Sequence, residues 1–493
     1  MSQFGYYFIH PLGFVDFTRG ICFVFLSIKY TQMELHKEMH ASFASKSLIR
    51  TALEYAFDYL DNLDEKDVFP QEESVLKLSA FDEQLPLKSC PPEDVLTLLH
   101  ESGSPNSVAQ SGGRYFGFVN GSSIPVAMAS KYLSAAWDQN GGLYNTSPIN
   151  SKLESICQQW LIELFDLPQE TVAGFVSGTS LANFTALCTA RFHLLRNLGW
   201  DINEQGLNGA PPLRIILHKQ IHSSVKRTIA LLGYGKRNIE WVDSDEQGRI
   251  IVDRMPKLDS SCLVLLQAGN ANTGSFDDFD TVCALAKKVD AWVHIDGAFG
   301  LWAAASKTLS HLTKGIQHAD SWAVDGHKAL NTPYDCGIVL CKHKDALIST
   351  MQATGEYIVY SDQRDPMMYT PEMSKRSRAI ELWATMKYLG RTGIEELVNQ
   401  LHAQALKISE GVTDLGYTPI NNVVFNQVLV KYGDEAKTNA IVSYIQKSGK
   451  AWLGGSTWKG RAVIRISVCS WATTEKDIET LISLFKEARD LVR

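Results

Sequence analysis

The chain has 493 residues, 45% of them hydrophobic and 20% charged, and a formal net charge of -7. That length exceeds what one core usually fills, so a large domain with smaller appendages is expected. The mildly acidic balance argues against a nucleic-acid footprint and against a basic membrane-binding surface, and nine cysteines scattered from Cys22 to Cys469, without a C-x-x-C pair or a metal-ligand cluster, read as reduced thiols of a cytoplasmic protein.

Residues 1–32 are aromatic and apolar, but the run over 21–28 is too short to span a bilayer as a helix. Lys29-Tyr30-Thr31-Gln32 makes a poor signal-cleavage site, so the segment reads as an extension ahead of a functional start at Met33. An amphipathic helix is expected over 47–63, with Leu48, Leu53, Ala56, Leu60 and Leu63 near helical spacing. Turn residues and two short helical patterns fill 64–112, which reads as an arm. An aromatic, glycine-bearing stretch over 114–121 precedes an Ala-rich helix over 125–137 and a polar loop over 138–148.

Between 172 and 274 strand and helix patterns alternate, as in a mostly parallel sheet covered by helices on both faces. Ser177-Gly178-Thr179-Ser180 leads into a helix carrying Leu181, Phe184, Leu187, Cys188 and Leu195 on one side. Such a turn offers backbone N–H groups, hydroxyls and the positive end of the helix dipole to a phosphate. Taken alone, it is more often only an N-cap. Strands follow at 213–217 and 263–267, with a helix opening at His222-Ser223-Ser224 between them. A Gly-rich turn over 268–274 then precedes a helix over 278–289.

The chemistry is concentrated in the next two strand patterns. Trp292-Val293-His294-Ile295 ends on Asp296-Gly297, and Trp322-Ala323-Val324 runs into Asp325-Gly326-His327-Lys328. Open α/β sheets place ligands at such strand ends. A buried carboxylate, Asp296, and a buried lysine, Lys328, suit a cofactor that needs a Schiff-base amine and a partner for a protonated pyridine nitrogen, namely pyridoxal phosphate (PLP). A lysine after a strand is ordinarily a surface residue; the combination carries the reading. A strand over 337–341 follows, then a polar stretch over 351–378 holding Tyr357, Tyr360 and Tyr369, of the length that lids and functional loops often have. Helices over 380–389 and 393–415 and strands over 426–430 and 462–468 complete the chain. Arg465 reads first as an exposed or ion-paired strand residue and second as a carboxylate ligand.

The segments HIDGAFGLWAAAS (294–306) and DGHKALNTPYDCG (325–337), with Ser177-Gly178-Thr179-Ser180-Leu181-Ala182-Asn183, resemble the group II PLP-dependent amino acid decarboxylases, relatives of the aromatic-L-amino-acid and glutamate decarboxylases. The resemblance covers most of the chain and is strongest over 114–390. It departs at Thr179, where a second glycine is usual, at Gly326 and Ala329 beside the His-Lys pair, and at Lys375, where arginine is more frequent. It implies the PLP-dependent transferase fold of type I: an extension and arm over 1–112, a large PLP-binding domain over 113–378 and a smaller α/β domain over 379–493, assembled as a homodimer.

The resemblance further implies that Lys328 carries PLP, that Asp296 partners its ring nitrogen and that His222 stacks on the ring. Ala298 would pack on a ring face, Thr179, Ser180 and His327 would contact the phosphate, and Thr273 would lie beside the cofactor. The segments 114–121 and 138–148 would help to line the substrate pocket, and a tyrosine of the 351–378 stretch would act in catalysis. The expected activity is decarboxylation of an L-amino acid to its amine and carbon dioxide, without metal, nucleic acid or membrane. Tyr115, Phe116, Phe118 and Tyr144 put aromatic amino acids ahead of glutamate as substrate. A carbon–carbon lyase or an aldehyde synthase on the same fold is the alternative, and a non-catalytic PLP-fold protein acting through binding is the third. Deletion of residues 1–32 is expected to leave a soluble, active enzyme; an insoluble or inactive truncation would overturn the assignment of a start at Met33.

Overall fold

A computed structural model describes residues 34–353, 355–356 and 358–492, so the expectations for residues 1–32 and for Tyr357 lie outside the described residues. The described residues form two units, one of 34–64 with 72–107, the other of 65–71 with 108–492. The first is helical. Its helix Ser47–Asp61 sits where the apolar spacing places it, and Tyr55 stacks on His100 with ring centroids 4.1 Å apart while its hydroxyl meets Thr97 Oγ1 at 3.2 Å.

In the second unit, β1 (Tyr115–Phe116) is followed by seven strands that build one sheet: β2 (Val172–Val176), β3 (Arg214–His218), β4 (Ile239–Val242), β5 (Cys262–Gln267), β6 (Trp292–Asp296), β7 (Ser321–Asp325) and β8 (Gly337–Cys341). Their spatial order is β2-β8-β7-β6-β5-β3-β4, and only the pairs that involve β8 are antiparallel. Parallel strands need helical crossovers, which lay helices on both faces, so the strands are unbroken apolar runs. Every residue of β5, β6, β7 and β8 is buried. The period of two then decides which face each residue serves. Leu263 and Leu265 join Leu187, Cys188 and Leu194 of the helix Thr179–Asn197, whereas Val264 and Leu266 join Phe279 and Val282 of the helix Phe279–Lys287 and Trp302.

A second sheet has the order β1-β11-β12-β10-β9, where β9 is Thr418–Pro419, β10 Gln427–Lys431, β11 Trp452–Trp458 and β12 Arg461–Ser467. β1 runs parallel to β11 and the other pairs are antiparallel, so residues 115–116 enter this C-terminal sheet. Ile441 and Ile445 of the helix Glu435–Lys447, with Ile478 and Leu481 of the helix Glu475–Val492, share a core with Val428, Val430, Ile464 and Ile466. The two helices expected over 380–415 form one run, Ala379–Asp414, broken at Gly390, whose φ of 59° and ψ of -176° suit glycine alone.

The polar stretch after the helix Lys344–Met351 is anchored by buried charges. Glu154, on the helix Pro148–Leu164, receives Arg364 Nε at 3.0 Å on one oxygen and Lys375 Nζ at 3.1 Å on the other, and Lys375 also donates to the Phe175 carbonyl of β2 at 3.2 Å. Burial lowers the pKa of Lys375, and Glu154 opposes the shift. Lys375, where the resemblance points to arginine, thus pairs with Glu154 and bonds the Phe175 carbonyl. Glu154→Ala leaves two buried cations without their carboxylate and is expected to cost about 3–5 kcal/mol of stability, read as a fall in the urea midpoint. An unchanged midpoint would show that water, and not Glu154, solvates the two cations.

Candidate active site

The carboxyl ends of β2, β6 and β7 and the start of β8 meet at one edge of the large sheet, where Asp296 is in register with Gln267 and Ala323, and Gly337 lies between Asp325 and Val176. A cavity of about 840 Å3 opens there. Lys328, Asp296, His222 and Ala298 line it, as do Thr179, Ser180 and His327. Thr273 does not. It is fully buried behind the wall, its hydroxyl donates to the Gln247 carbonyl at 2.6 Å, and Gly269 and Ala271 of the same turn reach the cavity instead. Side-chain direction in an irregular turn follows local packing, which corrects the expectation for Thr273.

The lysine turn is closed by its own backbone. Gly326 N–H donates to the Cys336 carbonyl at 2.9 Å, Asn331 N–H to the Lys328 carbonyl at 2.9 Å, and the Trp302 indole N–H to the Asp325 carbonyl at 2.9 Å. Cys336 N–H donates to His327 Nδ1 at 3.0 Å, so the neutral ring carries its proton on Nε2. Burial lowers the pKa of His327, with Asp325 opposing. Lys328 Nζ lies 3.0 Å from Asp325 Oδ2, and the other oxygen of that carboxylate accepts the Thr179 N–H at 2.7 Å. Asp325 is 2% exposed. Sequence reasoning treated this residue only as a strand end; its signal was the i, i+3 spacing to Lys328.

Asp296 faces the cavity from the next strand. Its pKa is raised by burial, while His222, Lys328, the Asn183 amide and the Ala298 N–H favour its ionised form. Asn183 Nδ2 donates to Oδ2 at 3.2 Å and Ala298 N–H to Oδ1 at 3.3 Å. His222 N-caps the helix Ser223–Leu231 through Nδ1, which accepts from the Ser224 N–H at 3.3 Å, and burial lowers its pKa with Asp296 opposing.

The turn between β2 and the helix Thr179–Asn197 tests the fit of a phosphate group. Thr179 Oγ1 is buried without a hydrogen-bond partner among the described residues, and a Cβ on Gly178 would stand 3.4 Å from the His327 ring. An acceptor-rich anion placed there would meet an idle hydroxyl, a ring N–H and a helix N-terminus. Asp325 already takes the Thr179 N–H, so that donor is not the free one the sequence suggested. With an amine, a carboxylate acceptor and an imidazole face beside this cradle, the donor set fits PLP.

Two further residues join the cavity wall. Arg465 of β12 donates from Nη1 to the Ala271 carbonyl at 3.1 Å and its guanidinium lies 6.0 Å from the Phe118 ring centroid. No ion pair involving it occurs among the described residues, which corrects the expectation of an exposed or ion-paired strand residue. Tyr334, whose ring packs 4.3 Å from that of His327, donates its hydroxyl to Asn120 Oδ1 at 3.0 Å. Of the loop tyrosines, Tyr369 is 8% exposed beneath the Arg364 guanidinium and the Tyr360 hydroxyl donates to the Ala353 carbonyl at 2.7 Å; neither lines the cavity.

The pyridoxal-dependent decarboxylase conserved domain matches residues 107–428. Aromatic-L-amino-acid decarboxylase of Bacillus atrophaeus is 26% identical over 460 residues, covering 88% of this chain and 93% of that protein, and the human acidic amino acid decarboxylase GADL1 is 27% identical over 460 residues, covering 83% and 87%. Among solved structures, Oryza sativa TDC with PLP and tryptamine superposes with a TM-score of 0.84 at 20% identity over 91% of this chain and 98% of that one. The 4-hydroxyphenylacetaldehyde synthase of Rhodiola rosea gives 0.80 at 19% over 92% and 99%. At those identities the likeness is one of fold.

Gly337 backs directly onto the turn at Gly178, and a Cβ there would stand 2.3 Å from Gly178 Cα, a backbone atom with no freedom to yield. Gly337→Ala is expected to displace the turn and weaken PLP binding at least about tenfold, measured by titrating cofactor-free protein. Unchanged affinity would detach this turn from the cofactor.

Proposed function

We propose, from the premise that this chain belongs to the pyridoxal-dependent decarboxylase family, that it removes the α-carboxyl group of an L-amino acid with an anionic side chain. The protein is a PLP-dependent carboxy-lyase acting on amino acids. The side-chain class rests on one observation: Arg465 presents a guanidinium to the cavity without an acidic partner among the described residues, and the only polar contact found for it is the Ala271 carbonyl. A charged group away from bulk water is stabilised by a counter-ion, and a substrate carboxylate or sulfinate would supply it. Phe118 and Tyr334 in the cavity wall favour an aromatic substrate as the second reading.

Bound PLP supplies an electron sink for the pair left on Cα when the carboxylate departs. In the proposed site Lys328 would hold the cofactor through its aldehyde carbon, and Asp325, 3.0 Å from Nζ, would orient the amine. Asp296 accepts the ring N–H, and its negative charge favours the protonated ring. His222 and Ala298, both in the cavity wall, would contact the ring. The hydroxyls of Thr179 and Ser180 and the Nε2–H of His327 hold the phosphate. An arginine gripping the far end of the substrate would orient it for loss of the α-carboxyl group and serve better than one retaining the departing group. Lys328 then returns a proton at Cα.

The division at 113–378 and 379–493 and the homodimer remain part of this proposal. Tyr132, Leu133 and Trp137, 44%, 55% and 45% exposed on the helix Pro125–Trp137, support a second copy covering that face. The described cysteines are all free and all but Cys90 are buried, which supports a reducing, cytoplasmic setting. No described helix is long and apolar enough to cross a membrane.

The test is carbon dioxide release by PLP-loaded protein from aspartate, glutamate, cysteine sulfinate, tyrosine, tryptophan and 2,4-diaminobutyrate, with the organic product identified by mass. Release with the matching amine from an acidic substrate is expected, absent in Lys328→Ala. Arg465→Met is expected to lower kcat/KM for that substrate about 100-fold, the scale of a lost charge-assisted pair. Release from aromatic substrates alone would transfer the assignment to the second reading. An aldehyde product would indicate the synthase, and cleavage without carbon dioxide the lyase.

A further inference from the structure

Behind Asp296 a row of buried polar groups leads away from the cavity and has no role in holding substrate. The Trp292 indole N–H donates to Ser321 Oγ at 3.0 Å; Ser321 Oγ meets His294 Nδ1 at 2.9 Å; His294 Nε2 meets Asn183 Oδ1 at 2.9 Å; and Asn183 Nδ2 donates to Asp296 Oδ2 at 3.2 Å. Trp292 is 2% exposed, and Ser321, His294 and Asn183 are fully buried. Apolar residues would fill this space at less cost, since every polar group here must be satisfied by another.

The direction of each bond follows from the two ends. An indole nitrogen only donates, so Ser321 accepts from Trp292 and has its own hydrogen left for His294 Nδ1. His294 therefore carries its proton on Nε2 and donates to Asn183 Oδ1, which turns the Asn183 NH2 toward Asp296. An ionised carboxylate only accepts, so the same orientation follows from the Asp296 end. A flipped Asn183 would set an oxygen against that carboxylate and another NH2 against the His294 N–H. Burial drives the His294 pKa down to about 3, so the imidazole is neutral at working pH and brings no charge to the row.

We infer that Trp292, Ser321, His294 and Asn183 act as a positioning row that holds one oxygen of Asp296 with a neutral, one-way hydrogen bond and so keeps that carboxylate ionised toward the cofactor ring. The inference rests on the proposed role of Asp296. Burial favours the protonated acid, and the other groups facing Asp296 are His222 from the helix Ser223–Leu231, Lys328 and the Ala298 N–H. His222 and Lys328 belong to the cavity wall, where cofactor and substrate act on them; the Asn183 amide is shielded from both.

The full chain, freed of cofactor, is titrated with pyridoxamine 5'-phosphate, which cannot form a Schiff base with Lys328, and its affinity is followed against pH. Asp296 accepts the ring N–H only when ionised, so affinity is lost as pH falls through its pKa. Freeing the His294 tautomer lets Asn183 turn its NH2 away from Asp296, and the weaker donor to the charged form raises that pKa and moves the acid limb upward. Ser321→Ala is expected to move the limb up by about one pH unit, with affinity above the limb within about twofold of wild type, and Ser321→Thr to restore it. Trp292→Phe, which leaves Ser321 free to turn either way, is expected to move it in the same direction by less. An unmoved limb in Ser321→Ala and Trp292→Phe, or an equal loss at every pH, would overturn the inference. Asp296→Asn separates the two levels: loss of the limb in that variant beside an unmoved limb in Ser321→Ala overturns the row alone, whereas a wild-type limb in Asp296→Asn overturns the role of Asp296 itself.

Discussion

A carboxylate removed from water at the end of β6 is the constraint on which the rest of this site depends. Desolvation pushes Asp296 toward its neutral acid, and the fold opposes that from several sides, with an amide donor from the helix Thr179–Asn197, a backbone N–H from Ala298 and the cations of the cavity wall. Asp325, one strand away, is handled differently: it is paired directly with Lys328 and with the first N–H of that same helix. One helix thus serves both acids, with Thr179 at its start and Asn183 one turn later. The parallel arrangement of β6 and β7 makes this possible, because it brings both carboxyl ends to the same edge.

Backbone contact sets the position of the groups around those acids. Gly337 lies against Gly178, and Gly121 so close to the Lys328 carbonyl that a Cβ would stand 2.2 Å from it. The turn at Gly178 and the lysine turn are therefore placed by glycines that admit no side chain. Behind them, Glu154 holds Arg364 and Lys375 on its carboxylate and Lys375 also donates to the Phe175 carbonyl of β2, so the polar stretch after β8 is attached to the strand that leads into the turn at Gly178. Breaking one of those buried pairs is costly because its partner stays behind.

The cavity itself draws on both sheets. The large sheet supplies Asp296, Asp325 and the two turns, while β12 of the smaller sheet contributes Arg465. The residues proposed to hold the cofactor come mostly from strand ends and turns of the large sheet, and the group proposed to choose the substrate comes from elsewhere. Such a division lets a common reaction centre serve different amino acids by changing the surrounding wall.

By itself the sequence determined the buried strands of the large sheet other than β4, the positions of Asp296 and Lys328 at or just past strand ends, and the turn at Ser177–Ser180. Those signals are local: unbroken apolar runs mark strands buried on both faces, and the strand end sets where the side chain emerges. Thr273 and Arg465 were decided by the tertiary structure, because the direction of a side chain in an irregular turn, or the loss of its ion-pair partner, depends on what packs against it. The row from Trp292 to Asn183 was equally hidden. Its members stand on β6, β7 and a helix over a hundred residues earlier in the chain, and no periodicity records that a tryptophan, a serine, a histidine and an asparagine will share one buried line of hydrogen bonds. Only the closed core, which removes water and leaves each polar group to find another, gives those four residues a common purpose.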